Sequence, residues 1–167
     1  MPGARYTAQH IRGARLVTLT VPGGDVASAL DLARVQPPYT LLRRPELVRD
    51  ASSWDFALRR TEAGGLALRP YDAPGSPYRG AGIVATTEDF DRINEAPRST
   101  GRYGEEPAPV AVGTTWYLRS RQYPAVTGQI CLKYAKARAL EVDAAAGTVK
   151  LALVLNDNCD DERLEDD

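Results

Sequence analysis

Seven runs of alternating apolar and polar residues, separated by glycine and proline clusters, constrain this chain more than any other feature of its sequence. Over residues 15–21, Val17, Leu19 and Val21 fall on one face and Thr18 and Thr20 on the other. Over 54–60, Trp54, Phe56 and Leu58 oppose Asp55, Ala57 and Arg59. Leu66 with Leu68, then 83–87, 114–120, 130–142 and 148–155, complete the set. Successive side chains of a strand point to opposite sides, so period two predicts strands with one buried face. Pro22-Gly23-Gly24, Pro37-Pro38, Gly64-Gly65, Pro74-Gly75-Ser76-Pro77 and the stretch 101–109 supply the turns. The pattern predicts an all-β chain: a single antiparallel β-sandwich or barrel-like domain of many short strands. One helical turn is expected over 87–94, where Thr86 and Asp89 stand at capping-box spacing and Phe90 and Ile93 lie one turn apart.

The last two runs predict a long C-terminal hairpin. Asp143 opens a turn and Gly147 closes it. Folding about Ala145 sets Ala135, Ala137 and Ala139 opposite Leu155, Leu153 and Leu151, a small-against-large match within one layer. The turn type could shift this register by a residue or two, and a bulge could restore it. In the same register Cys131 faces Cys159. Two readings stand for the pair: a disulfide across the hairpin, or two thiols, one buried among strand neighbours and one exposed.

Charge sets the domain limits. The chain of 167 residues holds 21 Lys and Arg against 22 Asp and Glu, with 43% hydrophobic residues. One domain with a substantial core is expected at that length. Residues 160–167 hold six acids and one arginine, which leaves 20 bases and 16 acids in the body. The expected organisation is a flexible leader over 1–14, the β domain over 15–159 and a solvated acidic tail over 160–167. The body is only mildly basic, so nucleic acid is not an expected partner. No apolar stretch approaches the ~20 residues of a membrane-spanning helix. The leader has the charge of a secretory n-region without an apolar segment after it. Either the protein is cytoplasmic or the sequence begins after a removed leader. One histidine and two cysteines exclude a zinc finger or an HExxH site, and only His10 could serve a Ser–His–Asp or Cys–His mechanism. No glycine-rich phosphate loop opens a helix. No enzymatic activity is expected.

Several short segments, in order, resemble a known family. Residues 54–60 (WDFALRR), Asp89-Phe90-Asp91 with Glu95-Ala96-Pro97, Lys133-Tyr134-Ala135-Lys136, Glu141-Val142-Asp143, Gly147-Thr148 and Asn156-Asp157-Asn158-Cys159 are similar to elements of the HmuY-type haem-binding lipoproteins. The resemblance runs over roughly residues 15–160. It implies an all-β fold, an extracytoplasmic location (periplasm or outer cell surface) and, in the founding members, haem capture. Those members hold haem through paired histidines, and some relatives through methionine. Here the only His and Met are His10 and Met1, ahead of the first strand.

Tyr117, Arg119, Arg121 and Tyr123 alternate, so on one strand all four would share a face. Arginine forks suit carboxylates and tyrosine rings suit stacking, which makes this face a candidate ligand or partner surface. The competing reading is a solvated face whose arginine stems cover apolar surface. Tyr71, Tyr78 and Tyr103 lie in the long connections 69–82 and 97–109 and are the candidate loop residues, Tyr being an accepted haem-iron ligand. The oxygen-rich stretch 156–162 lacks the glycine and glutamate spacing of an EF-hand and reads as acidic tail. Two functions follow. One is a non-enzymatic exported binding protein for a small molecule, with haem or another tetrapyrrole implied by the resemblance alone. The other is an accessory subunit that docks on a protein partner in a membrane-associated assembly.

Overall fold

The computed structural model describes residues 14–98 and 100–164. His10 and Met1 lie outside the described residues, as do all but the last residue of the expected leader and residues 165–167.

Alternation becomes two five-stranded antiparallel sheets. The first runs β1 (Arg15–Thr20), β12 (Thr148–Asn156), β11 (Tyr134–Asp143), β8 (Thr115–Arg119) and β6 (Gly82–Thr86). The second runs β3 (Leu42–Arg43), β2 (Ala29–Leu30), β4 (Phe56–Arg60), β5 (Leu66–Pro70) and β7 (Ala108–Pro109). A separate pair joins β9 (Tyr123–Pro124) to β10 (Ile130–Cys131). Val17, Leu19, Leu118 and Leu151 from the first sheet meet Leu30, Phe56, Leu58 and Leu68 from the second in one buried cluster. Among the described residues neither five-stranded sheet closes on itself, and the two pack as a sandwich.

The closing hairpin takes the expected register over most of its length, with Ala135, Ala137 and Ala139 opposite Leu155, Leu153 and Leu151. A bulge between Ala139 and Glu141 then shifts the pairing by one residue. Strict alternation would have driven Glu141 inward; the extra residue leaves Glu141 exposed and turns Val142 onto the core. Gly147 closes the turn at φ +72°, and a side chain there would meet Val21 at 2.5 Å. Beyond the hairpin, Cys131 at the end of β10 and Cys159 form a disulfide with Cα atoms 5.1 Å apart. For a loop of this size the chain-entropy relation gives about 3.5 kcal/mol of stabilisation.

Four local expectations need correction. The run 130–142 is two strands, because the chain turns at Leu132 and Lys133 between β10 and β11. Trp54 precedes β4 and packs with Ala29 and Ala57, on the side away from Phe56 and Leu58. The helical turn is a 3-10 helix, Phe90–Arg92, and its cap is Asp89, whose side chain accepts from the Asp91 N–H. The acidic tail is packed as far as Leu164. Ala96 N–H donates to the Glu162 carbonyl and Leu164 N–H to the Asn94 carbonyl, each at 2.8 Å. Leu164 is 1% exposed beside Ile93 and Tyr134, an apolar anchor that the surrounding acids hide in the sequence.

Candidate functional site

β8 ends at Arg119, and this splits the expected Tyr117–Tyr123 face. Ser120 keeps half of the next rung, its N–H donating to the Lys133 carbonyl at 2.8 Å. The Lys133 N–H turns instead to the Ser120 hydroxyl at 2.9 Å, and that hydroxyl donates to the Arg121 carbonyl at 2.9 Å. Tyr123 then begins β9. All four residues are buried, so neither a shared recognition face nor a solvated one exists there.

Tyr117 and Arg119 lie on the outer face of the first sheet, close to Tyr103. The Tyr117 hydroxyl donates to Glu88 at 2.5 Å, and burial together with that carboxylate pushes its pKa up to about 12. Tyr103 donates to the Pro97 carbonyl at 2.8 Å, and its ring lies 5.1 Å below the Arg119 guanidinium. Burial, then the neighbouring Tyr134, raises the Tyr103 pKa. These three residues hold a surface segment down; their polar tips are spent on protein.

Arg121 belongs to a different neighbourhood. Its Nη1 pairs with Asp31 at 3.1 Å and with Asp55 at 3.0 Å, and both carboxylates are fully buried. Asp31 also pairs with Arg43 at 3.0 Å, and Arg43 reaches Asp50 at 3.3 Å. Asp55 accepts from the backbone N–H of Leu32 at 2.6 Å, Ala33 at 3.2 Å and Arg121 at 2.8 Å. Its pKa is raised, because burial outweighs the attraction of Arg121. Burial alone would lower the Arg121 pKa, but Asp55 and Asp31 raise it. Next to this network, Lys133 donates to the Ala33 carbonyl at 3.0 Å and pairs with Asp157, which also binds Arg34. Burial lowers the Lys133 pKa. Asp31, Arg43, Asp50, Gln122 and Lys133 are the residues that sequence reasoning missed. One signal was available: Asp31 interrupts the apolar pair Leu30 and Leu32, and an acid in such a setting needs a cation.

Between this network and the connection 71–81 lies a cleft of about 240 Å³. Four of the candidate residues meet there, Tyr71, Tyr78, Arg121 and Tyr123, with Gln122 and Ser53 beside them. Gln122 clips the connection in place: its Oε1 accepts from Arg79 N–H and its own N–H donates to the Arg79 carbonyl, both at 2.8 Å. The Tyr71 ring rests edge-on against Trp54 at 4.8 Å. A Cβ at Gly80 would lie 2.3 Å from the Tyr71 carbonyl, so only glycine lets the connection close this tightly. Burial pushes the Tyr123 pKa up to about 12, with Asp160 and Asp157 adding to the effect. The hydroxyls of Tyr71, Tyr78 and Tyr123, and Nε and Nη2 of Arg121, take no protein partner among the described residues.

Comparison with known proteins finds no matching family model, no matching curated protein and no matching solved structure. Haem, which the sequence resemblance implies, does not fit either hollow as the described residues line it. The cleft of about 240 Å³ is smaller than the ~300–1,000 Å³ that drug-sized ligands occupy. A larger hollow of about 910 Å³ at the hairpin end, lined by Thr18, Leu140 and Lys150 among others, presents no tyrosine, histidine or cysteine. Among the described residues, no helix is long and apolar enough to cross a membrane.

Proposed function

We propose that this chain is a non-enzymatic, exported binding protein that takes a small molecule into the Arg121 cleft, and that its resemblance to the HmuY-type proteins lies in the scaffold. The observation that carries the reading is the Arg121 fork. Its Nη1 is fixed by two buried carboxylates, and the residue lines a cleft among three tyrosines. Groups held this rigidly lose little freedom when a ligand arrives. The carboxylates supply no obvious base, since Asp55 is engaged by three backbone N–H groups and by Arg121. The disulfide is compatible with an oxidising compartment.

Native mass spectrometry of protein purified from its own host tests this. A retained small molecule is expected, and Tyr71→Ala with Tyr78→Ala should release it without unfolding the chain. A stoichiometric partner chain, with no small molecule and no effect of the double substitution, would replace this reading with the accessory-subunit one.

A further inference from the structure

We infer that the cleft is shaped for one neutral pyranose ring, the single sugar or terminal unit of a glycan; this rests on the cleft being the binding site. Size comes first. At about 240 Å³ the cleft falls below the ~300–1,000 Å³ of drug-sized ligand sites, which suits a ligand smaller than those. A hexose is of that size; a peptide or a macrocycle is not.

Charge comes second. Arg34, Arg43, Arg121 and Lys133 are matched by Asp31, Asp50, Asp55 and Asp157 in direct ion pairs. An anion at Arg121 would therefore sit beside two buried carboxylates whose cation is already spoken for. A neutral ligand meets no such repulsion and still finds oriented guanidinium N–H donors.

The lining chemistry comes third. A sugar has an apolar C–H face and a rim of hydroxyls that both donate and accept. Tyr71, Tyr78 and Tyr123 offer flat apolar faces with polar tips, and Tyr71 is braced by Trp54. Gln122 commits its Oε1 to Arg79 and keeps its amide N–H groups, while Ser52 and Ser53 line the same wall with hydroxyls that donate and accept. Arg121 supplies donors, and the tyrosine and serine oxygens supply acceptors. Hydroxyls answer both.

The test is a titration of the isotope-labelled full chain by NMR with the methyl pyranosides of glucose, galactose, mannose and N-acetylglucosamine. Sodium acetate and sodium phosphate form parallel arms. At least one pyranoside should shift the Gln122 side-chain amide and the Arg121 Nε–H saturably. Tyr78→Ala should weaken that binding about tenfold, as expected for a pocket aromatic. Tyr78→Phe, which keeps the ring, should weaken it less; Tyr78 is half-buried in a connection, so neither change threatens the core. Shifts from acetate or phosphate and none from any sugar would overturn the pyranose assignment and leave the cleft as a binding site. No shift from any arm, with no molecule retained by the native protein, would overturn both.

Discussion

Arg121 and Lys136 are both buried, and the sandwich engages them with different groups. Lys136 donates to two backbone carbonyls, Phe90 at 2.6 Å and Ile93 at 3.0 Å, and its ammonium lies 4.5 Å from the Phe90 ring centre. Both acceptors come from the same turn of chain. The lysine therefore works as a rivet that fixes the segment around residues 90–93 over the outer face of the first sheet. Arg121 is held by carboxylates from two places, Asp31 after β2 and Asp55 just before β4. Those contacts use one corner of the fork, and the residue lines a cleft. Carbonyl acceptors close a surface; carboxylates at one corner of a fork fix it and still leave it available. The difference separates a region built for packing from one able to receive a ligand.

Removing the anchor of the open region is expected to have the largest effect. Asp55→Ala deletes a carboxylate that serves Arg121 and three backbone N–H groups. Breaking a buried pair from one side costs about 3–5 kcal/mol, and here Arg121 is left to share Asp31 with Arg43 while three backbone N–H groups lose their acceptor. Urea unfolding should show the loss as a lower midpoint with an unchanged slope. A loss below about 1 kcal/mol, the range of exposed pairs, would mean that Asp31 alone suffices to hold Arg121.

The two regions also differed in how far the sequence revealed them. Period two is a local signal, so Val17, Leu19, Phe56, Leu58 and the alanine–leucine rungs of the hairpin were all readable. The disulfide was readable by carrying the hairpin register past its last rung, Tyr134–Asn156, although Cys131 itself pairs with Tyr123 in β10. The Arg121 network was not, because Asp31 is 90 residues away and no periodicity links the two. Tyr117, Arg119, Arg121 and Tyr123 show how a local signal misleads: perfect alternation cannot report that the ladder ends where the Lys133 N–H takes the Ser120 hydroxyl in place of its carbonyl. Trp54 misled likewise, since parity means nothing ahead of the first paired residue, Phe56. Of the candidate site, the tyrosines and Arg121 were singled out from sequence; their meeting place, and the glutamine that clips it, needed the tertiary structure.

A smaller effect is expected at the rivet. Lys136→Met keeps the apolar stem and removes the ammonium, leaving the Phe90 and Ile93 carbonyls short of a donor. Unsatisfied buried acceptors cost about 1–3 kcal/mol. Hydrogen exchange should rise first in segment 90–104 and in Leu164, which packs beneath it, while the amides of β2 and β4 keep their protection. Equal loosening of β2 and β4 would show that the regions are one cooperative unit, and the contrast drawn above would fail.

The smallest effect lies at the margin of the open region, and pH reads it. Burial alone would raise the Asp157 pKa, but its hydrogen bond to Arg34, the Arg34 charge and then Lys133 outweigh that and hold it below the ordinary 3.8. A carboxylate depressed in the folded state contributes stability above its unfolded pKa of ~3.9, and that contribution is lost as the pH falls through the folded value. Asp55 has the opposite sign. Its raised pKa means the folded state keeps the proton longer, so its contribution is complete below the unfolded pKa and lost as the pH rises through the folded one. Asp157 is half exposed, its side chain at 47%, and solvent screening limits its pair energy to below about 1 kcal/mol. Asp157→Asn should therefore lower stability slightly at pH 7, with the gap from the parent closing as the pH falls below ~4. Urea midpoints across that range measure the gap. A gap that widened on acidification would mean that Asp157 behaves like Asp55, a desolvated acid of the network, and the boundary of the open region would have to move outward to include it.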